Sequence, residues 1–391
     1  MTDAPADETQ TTALAMAISP ATPAASADAG PRVMLVGSGE LSRELAISLR
    51  RLGAKVIAVE ERADGLAATV GRERPDYVCV TDAVSASDLD ALDRLATGGG
   101  PDGPELVPSA RALRLAADTE GLRRLAADEL GLPTAPFWFA GSAGELEAVG
   151  AHVGYPLLVK SLTGHGISSV SSRAGIGAAW QRAVGGDAGA ERARVLAEAV
   201  VEVEFHITLL AVRSDGPRGP VIEFCSPIGH RGVDADVLEA WQPQKLTAAA
   251  MDASRSIAAR IVKALGGRGV FGVELMINGD EVYFAGVTAL PRASAWTTLR
   301  GQRLSAFELL ARTIMGLPVD TMMLSPSAVR GIEAAGSPSP AALRGALGVP
   351  ESDVRATASG LLALATAPEV DVARDRAREV AGRLDVGDSR G

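Results

Sequence analysis

The chain has 391 residues, a formal net charge of −10 from 38 Lys+Arg against 48 Asp+Glu, two Cys and 47% hydrophobic residues. That length holds two or three domains with a large buried core, and the charge sign argues against a binder whose affinity rests on neutralising nucleic-acid phosphates. Cys79 and Cys225 allow one bridge at most, as expected of a reducing cytoplasm rather than a secreted scaffold.

Residues 1–31 are rich in Ala, Thr, Pro and Asp, start without basic residues and contain no apolar run of signal-peptide or membrane length, so they are expected to be a disordered tail. No later segment approaches twenty continuous apolar residues, and neither a membrane span nor a nucleic-acid partner is expected. From Pro31 the pattern sharpens. Val33 to Val36 reads as a strand, Glu40 to Leu52 as a helix and Lys55 to Val59 as a second strand, with Gly37-Ser38-Gly39 as the turn of a βαβ unit. Tyr77 to Val80 is a further strand, and helices are expected over Ser109 to Leu115 and Thr119 to Leu130.

Pro156 to Lys160 reads as a strand followed by a Gly/Ser loop over Ser161 to Ser169, then a helix around Gly177 to Val184. A strand-rich block follows: Val195 to Val203, His206 to Val212, Val221 to Cys225, and Phe271 to Ile277 joined through Asn278-Gly279 to Glu281–Phe284, a strong hairpin signal. The stretch Ala248 to Leu265 carries Ile257, Ile261, Val262 and Leu265 at helical spacing and stops at Gly266-Gly267. Beyond Ser325 two weaker helices and a strand, Gly360 to Leu364, are expected.

Few motifs carry chemistry on their own. Gly37-Ser38-Gly39 opens a helix whose free N–H groups could receive an anion, but Ser42 stands at the third glycine of a dinucleotide fingerprint and the acidic Glu40 lies where a pyrophosphate would sit. Lys160 ends an apolar strand beside the Gly/Ser loop, an arrangement suited to phosphate oxygens; the alternative is a surface lysine before a turn. It is one of only four lysines, and although GC-rich coding accounts for that scarcity, its rarity favours the functional reading. Glu198 and Glu274 each interrupt an apolar strand, where a lone carboxylate needs a partner. His152, His165, His206 and His230 lack metal-ligand spacing, and both cysteines sit in apolar strands as core residues would.

Taken together, several blocks resemble the formate-dependent phosphoribosylglycinamide formyltransferase (PurT) family of the ATP-grasp superfamily: Arg32 to Leu41, Arg51 to Val59, Gly121 to Leu130, Gly154 to Lys160, Phe205 to Leu210, Phe224 to Arg231, Trp241 to Gln244 and Leu265 to Glu274. The order is kept from about residue 32 to 388. The resemblance implies an α/β ATP-grasp fold with a shortened doubly wound N-terminal domain (32–116), a central ATP-grasp domain (117–318) and a small C-terminal domain (319–391). It also implies ATP and Mg²⁺ as cofactors, a small-molecule nucleotide as partner, a cytoplasmic homodimer, and a reaction in which ATP phosphorylates formate and the amine of glycinamide ribonucleotide attacks the formyl phosphate.

Carried over residue by residue, Glu40 and Leu41 match ribonucleotide-binding positions, and Lys160 an ATP-phosphate lysine. Gly164 and Gly166 match the loop over the nucleotide, Glu198, Val200 and Val201 the strand that holds adenine, and Glu274 the first metal carboxylate. Other positions depart from the pattern. His206 replaces the ribose-side Glu, Gly286 the second metal Glu, Thr119 an Arg, and Val80-Thr81-Asp82-Ala83 a Pro-Glu-Ile-Glu run. Thr288 to Ala293 replaces a Ser-Pro-Arg-Pro-His-Asp run, and gaps after Asp64 and before Gly360 remove a strand-helix unit and three phosphate-binding cations. Two outcomes are open: a catalytically degenerate paralogue with residual nucleotide binding, which residue chemistry favours, or a working formyltransferase in which His206, Asp82, Asp234 or Arg292 substitutes for lost groups.

Overall fold

The computed structural model describes residues 30–385 apart from 60–64, 101–102, 163–165, 186–192, 234–235, 334–336 and 359. The expected tail at 1–31 therefore lies almost wholly outside the described residues, as do Gly164, His165 and Asp234. The unit from Pro31 onward is described below.

Its first layer alternates strand and helix as the apolar periodicity requires: β1 (Arg32–Val36), α1 (Glu40–Arg51), β2 (Lys55–Val59), α2 (Leu66–Glu73), β3 (Tyr77–Val80), α3 (Ala86–Gly98) and β4 (Glu105–Leu106). The strands form a parallel sheet in the order β2-β1-β3-β4. Such a sheet is buried on both faces, and Val33, Met34, Leu35 and Val36 are all buried.

Two short helices, α4 (Ala110–Ala117) and α5 (Thr119–Arg124), lead into the second layer. Ser109 and Asp118 cap them, accepting from the N–H of Ala112 and Gly121. A four-stranded antiparallel sheet then combines β5 (Phe137–Ala140), β6 (Leu157–Ser161), β7 (Ile167–Val170) and β8 (Val195–Ala199) in the order β5-β8-β6-β7, with α6 (Ala143–Val153) and α7 (Ile176–Val184) against it.

Among the described residues the third sheet has nine strands. Its first half contains β9 (Phe205–Gly216), β10 (Gly219–Phe224), β11 (Ile228–Val233), β12 (Asp236–Gln242), β13 (Gly269–Asn278) and β14 (Glu281–Thr288). Helix α8 (Ala248–Leu265) lies against it; Ile257, Ile261, Val262 and Leu265 are buried, each worth about 1.5–3 kcal/mol. After α9 (Thr298–Gly301) and α10 (Ala306–Ile314), the remaining elements are β15 (Ser327–Glu333), α11 (Pro340–Leu347), β16 (Ser352–Ala356), β17 (Gly360–Thr366) and α12 (Val370–Asp385). Because β15 hydrogen-bonds to β12, the last strands extend the same sheet, in the order β14-β13-β9-β11-β12-β15-β17-β16 with β10 beside β9.

Three expectations are corrected. The strand expected over Val195 to Val203 ends at Ala199, leaving Val200 exposed and Val201 half-buried outside it. The Gly/Ser loop is shorter than expected, since Ile167 to Val170 form β7 and Lys160 pairs with Ile167. The region after Ser325 holds three strands, not one.

Candidate functional site

On β8, Glu198 faces Leu158 of β6, while Lys160 faces Leu196. Two-residue periodicity therefore sends Glu198 and Lys160 to the same side of the small sheet. The Glu198 side chain is 3% exposed and carries two cations, one on each oxygen: Lys160 Nζ, itself 28% exposed, and the guanidinium of Arg123. The partner that a buried carboxylate requires is thus a pair of opposite charges.

Arg123, at the end of α5, is absent from the sequence-derived site. It is almost fully buried, donates to the Phe284 carbonyl of β14 at 3.0 Å and lies 6.0 Å from the centre of the Phe137 ring. Burial pulls its pKa down, and the charge and hydrogen bond of Glu198 oppose that. A sequence signal existed: Arg123 is flanked by buried Leu122 and lies three residues before buried Ala126, which places a cation on the apolar face of the helix.

On the large sheet, Glu274 of β13 faces Thr208 of β9 on one side and Gly286 of β14 on the other. A regular hairpin closed at Asn278–Glu281 would have set Ala285 opposite Glu274, but a bulge after Glu274 shifts the register by one and brings Gly286 there. Glu274 accepts from Thr208 Oγ1 at 2.9 Å and contacts His230 Nε2 at 3.0 Å, and Thr208 Oγ1 lies 2.8 Å from Ser294 Oγ. The His206 ring centre is 6.4 Å from that of His230. Burial lowers the His206 pKa, His230 and Lys160 lower it further, and Glu274 opposes them. Burial, His230 and Lys160 thus outweigh the one carboxylate and disfavour the charged form of His206.

As a cation site this set is sparse. Among the described residues no three His, Cys, Asp or Glu side chains converge on one point, and Gly286 brings no donor opposite Glu274. Mg²⁺ is held by one or two carboxylates together with substrate phosphates. The donors therefore fit a cation that arrives on a triphosphate, with Glu274 as its single carboxylate, and do not fit a resident metal.

Among the described residues, the remaining sequence-derived positions make no side-chain bond to either cluster, although Gly166 sits in the hairpin beside Lys160. Glu40, in the first turn of α1, accepts from the backbone N–H of Ala358, tying the first layer to the C-terminal strands. Leu41 is half-buried against the core that α1 shares with α10. The glycine turn is already filled: Asp82 accepts from Ser38 N at 2.8 Å and Gly39 N at 3.3 Å. Gly37 has φ +136°, and a Cβ there would meet Asp82 Oδ2 at 2.5 Å. Gly166, at φ +146°, closes the β6–β7 hairpin, its carbonyl accepting from Ser161 N at 3.4 Å. Burial raises the Cys79 and Cys225 thiols to about 12, so both are inert core residues.

A cleft of about 410 Å³ opens beside His206 and His230 and extends to Arg231, Trp241, Lys245 and Arg374. Arg374 stacks on Trp241 at 4.0 Å.

Comparison with known proteins follows the same lines. Residues 125–307 match the model of the ATP-grasp domain. The chain is 41% identical over 389 residues to the formate-dependent phosphoribosylglycinamide formyltransferase of Rhodococcus jostii, covering 90% of this chain and 95% of that protein. It is also 41% identical to the protein of the same name from Corynebacterium glutamicum, covering 91% and 94%. Among solved structures, glycinamide-RNase-transformylase T from Mycobacterium tuberculosis superposes with a TM-score of 0.78 at 56% identity, over 90% of this chain and 99% of that one. N5-carboxyaminoimidazole synthase from Aspergillus clavatus, in complex with ADP and 5-aminoimidazole ribonucleotide, shares the fold with a TM-score of 0.76 at 20% identity, over 91% and 99%.

Proposed function

The chain belongs to the formate-dependent phosphoribosylglycinamide formyltransferase family of ATP-grasp proteins, and from that premise we propose that it transfers the formyl group of formate to the amine of glycinamide ribonucleotide at the expense of ATP. Formate is a poor acylating agent; taking the γ-phosphoryl group turns it into formyl phosphate. The amine then attacks the carbonyl carbon, and phosphate leaves. The observation that carries this reading is the presence of two polar clusters on two sheets, Lys160–Glu198 and Glu274–Thr208–Ser294, with the His206 ring 6.4 Å from that of His230, which contacts Glu274.

In this reading Lys160 holds phosphate oxygens with Gly166 in the hairpin beside it, and the resemblance assigns Gly164, outside the described residues, to the same task. Glu198 and the following Val200 and Val201 flank the adenine, and His206 lies on the ribose side. Glu274 meets the divalent cation carried by the triphosphate, which neutralises charge on the transferring phosphoryl group. Glu40 and Leu41 take the ribonucleotide. The domain limits 32–116, 117–318 and 319–391, a homodimer and a cytoplasmic location belong to the same proposal; among the described residues no helix is long and apolar enough to cross a membrane.

Residue chemistry alone favours a degenerate paralogue, but identity of 41% across nine-tenths of the chain supports the working enzyme more strongly. The second reading, nucleotide binding without turnover, keeps one specific observation: Gly286 stands where a second carboxylate would face Glu274. Calorimetric titration with Mg·ATP, followed by an assay of ADP release with formate and glycinamide ribonucleotide, separates the two. Turnover that needs both co-substrates and falls at least about 100-fold in Lys160→Ala is the expected result. Binding without ADP release would transfer the case to the second reading, and absence of binding would sink both.

A further inference from the structure

The two cations on Glu198 are not equivalent. Arg123 is sealed, its side chain 4% exposed, and it is fixed by three partners on three elements: Glu198 on β8, the Phe284 carbonyl on β14 and the Phe137 ring on β5. Lys160 has 28% of its side chain exposed, and Glu198 is its one ion-pair partner among the described residues. A lysine pinned to a buried carboxylate cannot serve a phosphate unless it can leave, and a buried carboxylate with no other partner would not let it go.

We propose that Arg123 is a positioning residue that makes Lys160 available: by neutralising Glu198 from the sealed side, it lets the ammonium move to an incoming phosphate without stranding a buried charge. The guanidinium suits this task because its rigid planar fork aims one nitrogen at the carboxylate and another at a backbone carbonyl, whereas a lysine would have to serve both from one flexible ammonium. In joining β8 to β14 it also fixes the small sheet against the large one at the level of the site. The inference rests on the nucleotide reading of Lys160, but its first consequence, the freedom of the Lys160 ammonium, can be measured without nucleotide.

The test uses the full chain and an amine-acetylating reagent, with modification rates read by peptide mass spectrometry and the exposed Lys245 and Lys263 as internal references. Arg123→Met should slow Lys160 acetylation about tenfold, because Glu198 then has only Lys160 to hold. In a Glu198→Gln background the same change should shift the rate by less than about threefold. Arg123→Lys, which keeps the charge and loses the fork, should fall between the two and keeps the test alive if Arg123→Met does not fold. Titration with Mg·ATP should repeat the pattern: about tenfold weaker binding from Arg123→Met in the parent chain and little change in Glu198→Gln. Equal effects in both backgrounds would reduce Arg123 to a structural clamp, and an unchanged or faster Lys160 rate would overturn the proposal. A parent chain that ignores Mg·ATP while Lys160 acetylation follows the expected pattern would refute the nucleotide reading and leave the role of Arg123 standing.

Discussion

Gly286 shows how much one missing side chain decides. A Cβ built there meets no heavy atom within 4 Å, so the backbone and its surroundings accept a larger residue. Gly286→Glu should fold, and with Mg²⁺ or Mn²⁺ at about 100 times its Kd it should be more stable than the parent by about 2 kcal/mol. Without the metal it should be less stable, because two carboxylates then face each other across the strands. A thermal melt with and without divalent cation checks this: the variant should gain several degrees with metal at about 100 times its Kd, a linkage worth about 2.7 kcal/mol, and the parent should not. A metal-dependent shift of equal size in the parent would mean that Glu274 alone binds the free ion. The arrangement around Gly286 was only partly legible beforehand. Glu274 stood out as a charge in an apolar strand, whereas the bulge that aligns Gly286 with it depends on the pairing of two strands and leaves no mark on either alone. Thr208 and Ser294, which complete that chain of hydrogen bonds, were missed because a hydroxyl inside an apolar run has no distinctive spacing.

At the level of elements, apolar runs bounded by turn signals were readable, down to the four residues of Tyr77 to Val80, and polar or isolated segments were not. Helix α8 matched its expected span, Ala248 to Leu265, because five turns of apolar spacing and a glycine stop leave little freedom. A short strand with serines at its centre offers no such redundancy: Ile167-Ser168-Ser169-Val170 reads as loop, and becomes strand only because β6 supplies partners. Val200 to Val203 erred in the other direction, since β-branched residues suggest a strand where none forms. The contact of α12 with β12 was likewise invisible in sequence. Arg374 donates to Glu239 at 2.8 Å across 135 positions, and Arg378 approaches the same oxygen at 3.8 Å. Burial pushes the Glu239 pKa up, but the Arg374 hydrogen bond and the charges of Arg374, Arg378 and Arg231 outweigh it and hold the group below the usual carboxylate range. A carboxyl whose folded pKa is depressed adds stability above its unfolded pKa and loses it as pH falls through the folded value. The docking of α12 should therefore weaken below about pH 4.3, and Glu239→Gln should be less stable at pH 7 while losing less on acidification. Denaturant melts at pH 7 and at about pH 3, where the loss is further advanced, test this; parallel losses in the two proteins would contradict it.

Across the whole described unit, layers that the sequence separates share one interior. Leu45 and Leu49 of α1, Leu309 and Leu310 of α10, and Val329 of β15 belong to a single apolar cluster, which also contains Cys79 and Cys225. The βαβ start was legible from local periodicity, and the fold class and the order of the layers from the family resemblance; this common core was not, because it joins residues nearly three hundred positions apart. The two thiols supply a built-in test. Both are buried and raised to about 12, so alkylation should require opening of the core, and the first layer should not open ahead of the large sheet. Under increasing denaturant, Cys79 and Cys225 should become reactive over the same range, followed by mass spectrometry of their peptides. Early exposure of Cys79 alone would show that the parallel sheet unfolds as its own unit.

The glycine turn before α1 carries a last consequence. Its amides are already engaged by Asp82, a carboxylate tethered to the same parallel sheet. A free anion seeking those amides competes with an intramolecular rival whose effective concentration is on the order of millimolar or higher. Dilute phosphate esters therefore gain nothing at this turn, and the tether makes it selective for ligands that bring additional contacts of their own.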